Sequence, residues 1–263
     1  MPDAPLSRAQ AGRIHALRQR RHREAEGRFI TEGIRTVEAL LASPIVPELA
    51  LISPTLEDSG RGRALATALA ARTPVHRVTE RELRELADTE TPQGVLVVAR
   101  MPEEHLPALE PGRRALLLAL DGVQDPGNFG TLVRSAEAFG AIGVIALPGT
   151  VDAWNPKAVR ASAGTSFRIP IMRMDARQLA GWARPDFTIW GAAADGESIA
   201  SLELPRRVVL VIGNEGAGLG TDIVAHLERR VSVPIQGSAE SLNAAMAGTV
   251  LLYLLSAGSA GDG

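Results

Sequence analysis

The chain has 263 residues, 45% of them apolar, enough for one large or two modest domains with buried cores. A formal net charge of −2 excludes a chain that holds nucleic acid through its overall field, and an aromatic share of 3% argues against base-stacking platforms. Cysteine is absent, which excludes disulfides and thiolate metal sites and fits a reducing, cytoplasmic compartment; no apolar run reaches signal-peptide or membrane-spanning length.

Residues 7–28 are dense in arginine (Arg8, Arg13, Arg18, Arg20, Arg21, Arg23 and Arg28), with Ile14 and Leu17 marking a weak helical stripe. Such a run is either a solvated helix face or a set of phosphate contacts, and its concentration in an acidic chain makes the second reading more informative. Beyond it the pattern predicts strands at 28–31, 49–52, 75–78 and 94–98. Helices are predicted over 32–41, 61–71 and 80–87, and together these elements make a small α/β sandwich. The stretch MPEEHLPALEPGRR sets three prolines among charged side chains. It reads as a linker at 101–113, separating a first domain at 1–100 from a second at 114–256.

The second domain opens on the continuous apolar run 115–120, a strand buried on both faces. A helix follows from about Thr131 to Phe139, then a strand at 143–147 and a helical segment at 156–162. Short strands are expected at 169–172 and 187–191, a buried strand at 208–212, a helix at 221–227 and a strand at 230–235. An apolar, small-residue helix runs to Leu255, with Ser241 in the N-cap position, and 257–263 is expected to be a disordered tail. No internal repeat is present. Short βα units of this kind require an open, largely parallel sheet with ligand sites beyond the carboxyl ends of its strands.

Three turns carry side chains that a purely structural turn does not need. In DGVQDPGNFGTLVR, Gly127 and Gly130 allow close approach, Asn128 offers an amide, and Arg134 lies about one turn into the expected helix; alone, the pattern reads as a tight connection with a surface arginine. In IGNEGAGLG, Glu215 is the odd residue, and the run is neither a phosphate-cradling loop nor a dinucleotide fingerprint. In SLN, Ser241 is most simply a cap, whereas Asn243 in the first turn of an apolar helix invites a ligand role.

Taken in order, DPGNFGTLVRSAEAFGA, VIGNEGAGL and VPIQGSAESLNAAMAGTVLLY resemble the three motifs of the SpoU/TrmH family of RNA ribose 2′-O-methyltransferases. RFITEGIRTVEALL resembles the family's L30e-like substrate-binding domain. The resemblance implies an α/β chain whose C-terminal parallel-sheet domain carries a trefoil knot, which ordinary topology rules treat as near-absent. It implies a homodimer that binds S-adenosylmethionine (AdoMet) in the knot, with the active site at the dimer interface. Asn128, Arg134, Glu215, Ser241 and Asn243 are its catalytic positions. The cofactor is held around Gly213, Val233, Ile235, Leu242 and Asn243. RNA contacts fall to Arg18, Arg20, Arg21, Arg23, Arg28 and Arg35, with no metal and no membrane.

Ribosomal RNA is expected as substrate ahead of transfer RNA. Arg134 keeps its proton in ordinary settings, so it is expected to pair with phosphate or the developing alkoxide. Proton removal by Arg134, in a site that depresses its pKa, is the other route. The competing reading is a non-catalytic RNA-binding or resistance accessory factor with a vestigial cofactor site; a nucleotide-dependent dehydrogenase would need an early glycine fingerprint that the chain lacks.

Overall fold

The computed structural model describes residues 6–110, 112–235, 237 and 242–257. In chain order the elements are α1 (Arg8–Ala16), α2 (Arg20–Glu26), β1 (Arg28–Glu32), α3 (Ile34–Leu41), β2 (Pro47–Ile52), α4 (Pro54–Glu57), α5 (Gly60–Ala70), β3 (Val75–Arg77), α6 (Glu80–Leu86) and β4 (Val95–Arg100). Then come β5 (Ala115–Asp121), α7 (Pro126–Ala138), β6 (Val144–Ala146), α8 (Pro156–Ala161), β7 (Ile171–Arg173), α9 (Ala176–Ala183), β8 (Thr188–Ser198), β9 (Arg207–Gly213), α10 (Thr221–Val224), β10 (Arg229–Ser232) and α11 (Ala244–Ala257). Among the described residues no helix is long and apolar enough to cross a membrane.

The chain divides into two compact units, Met1–Glu103 with Asp152–Arg168, and Glu104–Val151 with Ile169–Gly263. In the first, a four-stranded sheet runs β1-β4-β2-β3, antiparallel except for β2–β3. The inclusion of 152–168 departs from a contiguous 114–256 domain. Its physical reason is an aromatic cluster: Phe29 packs against Trp154 at 4.7 Å and Phe167 at 5.8 Å between ring centroids.

In the second unit a six-stranded sheet runs β10-β8-β9-β5-β6-β7, with every pairing parallel. Its central strands are apolar on both faces, as helices on both sides of a parallel sheet require. The expected linker is not free from Glu104 onward. Leu106 and Leu109 pack on the sheet's core, and Glu104 accepts from the backbone and side chain of Arg173.

Several boundaries move for identifiable reasons. The capping box of Asp175 and Gln178 starts α9, which composition alone passes over. The helix expected at 221–227 stops at Val224, because the chain must turn for the Glu228 N–H to donate to Ile189 O at 2.9 Å. The strand expected at 230–235 closes at Ser232, two residues before Pro234, which has no N–H for a ladder. α11 continues to Ala257; residues 258–263, expected as part of the tail, lie outside the described residues. That helix settles tightly. A Cβ on Gly248 would stand 2.5 Å from Leu132 Cδ2 of α7 and 3.1 Å from Ile212 Cγ1 of β9. Beside it, the Ser135 and Thr249 hydroxyls meet at 2.7 Å.

Candidate active site

The register of β5 with β9 pairs Asp121 with Gly213, so both strands end level and their following turns are neighbours. The first turn feeds α7 five residues earlier than expected. Asp125 accepts from Asn128 N at 2.8 Å and Pro126 occupies the first helical position. A cap plus an N-terminal proline outweighs the cost of glycines in the opening turns. Asn128 therefore sits in the first turn of α7, and Arg134 lies almost two turns further on rather than one.

The second turn is organised by residues that the sequence reading passed over. The Asn214 and Gly218 backbones exchange hydrogen bonds at 2.9 Å, and Asn214 Oδ1 accepts from Gly216 N and Ala217 N at 2.9 Å. Asn214 Nδ2 donates to Gly122 O at 2.8 Å, and Asp121 Oδ2 accepts from Gly220 N at 2.6 Å, so the two turns are pinned to each other. Asn two residues ahead of a glycine signals the local half of this arrangement. The long-range half has no sequence signal.

The third turn corrects the capping expectation. Asn243 Oδ1 accepts from Ala245 N at 2.9 Å and from Met246 N at 3.3 Å, so Asn243 caps α11. Ser241, expected both as cap and as a site residue, lies outside the described residues.

Capping leaves the Asn243 amide nitrogen available. It donates to Asn128 Oδ1 at 3.4 Å, and Asn128 Nδ2 donates to Glu215 Oε1 at 2.6 Å. One residue from each turn thus joins a single chain, Asn243 to Asn128 to Glu215. Arg134 is not part of it. The side chain is exposed, lines no part of the adjoining cavity, and no hydrogen bond or ion pair engages it among the described residues.

Next to this chain lies a cavity of about 510 Å³, within the range that encloses a cofactor. Gly213, Val233, Ile235 and Leu242 line it, together with Glu215, while Asn243 stands outside the lining. Ile212, Val231, Leu242 and Leu251 provide apolar wall, and the turn after Gly213 provides backbone groups. Among the described residues no lysine or arginine lines it. A pocket without cations does not suit a dinucleotide or triphosphate, whose phosphates want guanidinium, ammonium or an open helix N-terminus. It does fit the phosphate-free, cationic AdoMet, with a carboxylate at the rim.

The arginines expected to meet RNA fare unequally. Arg23 is removed from that set. It is 1% exposed, bound to Asp152, and donates to Leu17 O and Arg18 O at 2.8 Å, where it closes off carbonyls after α1. Arg28 pairs with Glu48, Arg20 with Glu24 at 2.8 Å, and Arg18 with Asp88 at 3.6 Å. Arg21 donates to His22 at 3.2 Å, and Arg35 is exposed on α3. Breaking a buried pair from one side strands a charge, so Arg23→Ala is expected to cost about 3 kcal/mol or more. A lowered midpoint in chemical denaturation checks this, and an unchanged midpoint contradicts it.

Residues 115–253 match the SpoU rRNA Methylase family, and residues 10–97 match the MRM3-like substrate binding domain. The 23S rRNA (guanosine(2553)-2′-O)-methyltransferase RlmP of Bacillus subtilis is 33% identical over 242 residues, covering 91% of this chain and 92% of that one. The 23S rRNA (uridine(2479)-2′-O)-methyltransferase of Streptomyces viridochromogenes is 31% identical over 249 residues, covering 90% and 85%. The crystal structure of the SpoU methyltransferase AviRb from Streptomyces viridochromogenes, in complex with AdoMet, superposes with a TM-score of 0.87 at 28% identity, over 97% of this chain and 99% of that one. With a cation-free cavity at the ends of a parallel sheet and matches that span both halves of the sequence, the chain belongs to the SpoU rRNA methylase family.

Proposed function

We propose that this chain transfers the methyl group of AdoMet to a ribose 2′-hydroxyl of ribosomal RNA, in the cytoplasm and as a homodimer. The observation that carries the reading is the Asn243–Asn128–Glu215 chain at the edge of a cofactor-sized cavity without cations. When bound, AdoMet supplies an electrophilic methyl carbon and a neutral thioether leaving group. Glu215 fixes the Asn128 amide from one side and Asn243 from the other. The amide is thereby presented in one orientation to a substrate hydroxyl. Gly213, Val233, Ile235 and Leu242 hold the cofactor. The guanidinium of Arg134 steadies the oxygen as its proton passes to solvent water.

The dimer reading rests on where Arg134 lies. It is exposed on α7 and lines no part of the cavity of its own chain, and the neighbouring surface of α11 leaves Met246 59% and Tyr253 56% exposed. Tyr253 meets Phe139, just past the end of α7, edge-on at 5.5 Å. Such an apolar face suits a second copy, whose approach would bring Arg134 to the partner's site. The family's trefoil knot belongs to the same reading, supported by the tight return of α11 onto β9 and α7 at Gly248.

Methyl-labelled AdoMet, incubated with the protein and ribosomal RNA, transfer RNA or DNA of matching sequence, tests the reaction. The expected result is label in alkali-stable dinucleotides of ribosomal RNA and none in DNA, since only RNA offers the 2′-hydroxyl. Equal labelling of RNA and DNA would overturn the assignment.

A further inference from the structure

A separate cavity of about 540 Å³ lies within the first unit and takes no part in the site above. It is lined by Arg35 of α3, Arg61 of α5 and Arg160 of α8, with Thr89, Thr91 and Gln93 from the turn ahead of β4. Two of the guanidinium groups are held in place. Arg160 donates to Glu32 Oε1 at 2.7 Å and to Asp88 Oδ2 at 2.8 Å, and Arg61 Nε donates to Glu38 Oε1 at 2.8 Å. The Arg61 hydrogen bond, with burial opposing it, holds the Glu38 carboxyl below its ordinary range. A guanidinium carries five N–H donors, so each keeps several beyond these bonds. Arg35 is exposed; its charge also acts on Glu38, but among the described residues no hydrogen bond engages it.

The charge balance narrows the ligand. Glu32, Glu38 and Asp88 face the three arginines, so the cavity is close to neutral. A duplex backbone, held by counterion release along many phosphates, needs a basic trough instead. What the cavity offers is direction: oriented guanidinium donors, the hydroxyls of Thr36, Thr89 and Thr91, and an amide. Gln93 Oε1 already accepts from Ile34 N at 2.9 Å, which leaves its NH2 to donate. Its volume suits one small ligand with a single anionic group and several polar edges.

We infer that this cavity seats one unpaired nucleotide of the RNA substrate, its phosphate against Arg35 and its base edge against Thr89, Thr91 and Gln93. Unstacked nucleotides present those edges to protein side chains, and guanidinium planes stack on them. The inference rests on the RNA-modifying function proposed above and places its substrate contact in this cleft rather than along the arginine-rich α1 and α2.

The test uses the full chain and a fluorescein-labelled, mixed-sequence single-stranded RNA of roughly a dozen nucleotides, with the same sequence as a duplex for comparison. Single strand is expected to bind more tightly than duplex. Arg35→Ala is expected to weaken it about tenfold and to lower the salt dependence by about one phosphate contact. Thr91→Trp fills the cavity without changing charge and is expected to weaken binding comparably. Arg81→Ala, which removes an exposed arginine paired with Glu85 outside the cavity, should leave binding as it was. Equal losses from Arg35→Ala and Arg81→Ala, no loss from Thr91→Trp, or equal affinity for duplex would each overturn the inference. If the wild-type chain methylates ribosomal RNA while the cavity variants bind as it does, this assignment alone fails. If it neither binds AdoMet nor labels RNA, the proposed function fails with it.

Discussion

Alanine at Arg134 is expected to lower kcat/KM for methyl transfer to RNA by about 10²–10³-fold while leaving the AdoMet Kd within about twofold, the signature of a group that acts on developing charge rather than on cofactor binding. The split follows from its position, since Arg134 lines no part of the cofactor cavity and makes no hydrogen bond to the Asn243–Asn128–Glu215 chain. Lysine at the same place separates two roles. Substantial retained activity means that a positive charge suffices, whereas loss comparable to alanine means that the planar fork is needed. Co-expressing Arg134→Ala with Asn128→Ala, on differently tagged chains, decides whose site Arg134 serves. If it acts across a two-fold axis, each mixed dimer contains one intact site, and random pairing restores about a quarter of wild-type activity. If Arg134 acts within its own chain, every site carries a lesion and nothing is restored.

Local signals made much of the second unit legible. The run 115–120, the glycine turns and the small-residue helix each state a period or a cap that a short window contains. So does the cavity lining at Gly213, Val233, Ile235 and Leu242, because it consists of strand ends and a turn whose place beyond a parallel sheet is a rule of the architecture. What escaped was long-range. Nothing around Asn214 announces that its amide will reach Gly122 O, and nothing around Arg23 announces Asp152, which is 129 residues away. The arginine-rich run is uniform in sequence, yet burial sorts it: Arg23 is an internal tie, Arg28 and Arg20 are balanced by glutamates, and Arg35 lines a cavity. α7 starts at Pro126 rather than near Thr131 because the Asp125 cap and the proline behind it outweigh Gly127 and Gly130. The earlier start places Arg134 more than two turns into the helix instead of one, exposed rather than beside its own turn.

Alanine at Gly213 is expected to raise the AdoMet Kd at least tenfold, about 1.4 kcal/mol, in a protein that stays folded by circular dichroism. A Cβ there would lie 2.4 Å from Gly218 O and 2.5 Å from Gly218 C, well inside van der Waals contact. Gly213 itself cannot retreat, because it is buried and paired with Asp121 at the end of the central strands. The strain therefore falls on the turn, whose Asn214–Gly218 hydrogen bonds and Glu215 carboxylate would shift together. Displacing Glu215 also frees the Asn128 amide, so methyl transfer should fall further than cofactor affinity does. Gly216 provides the control within the same turn, since a Cβ there meets nothing closer than Asn214 Oδ1 at 3.6 Å. Gly216 also lines the cavity, so Gly216→Ala should lose less AdoMet affinity than Gly213→Ala rather than none. Equal losses at both positions, read by titration calorimetry, would show that the turn must flex rather than hold its shape. Wild-type affinity at both would show that the close approach at Gly213 does not seat the cofactor.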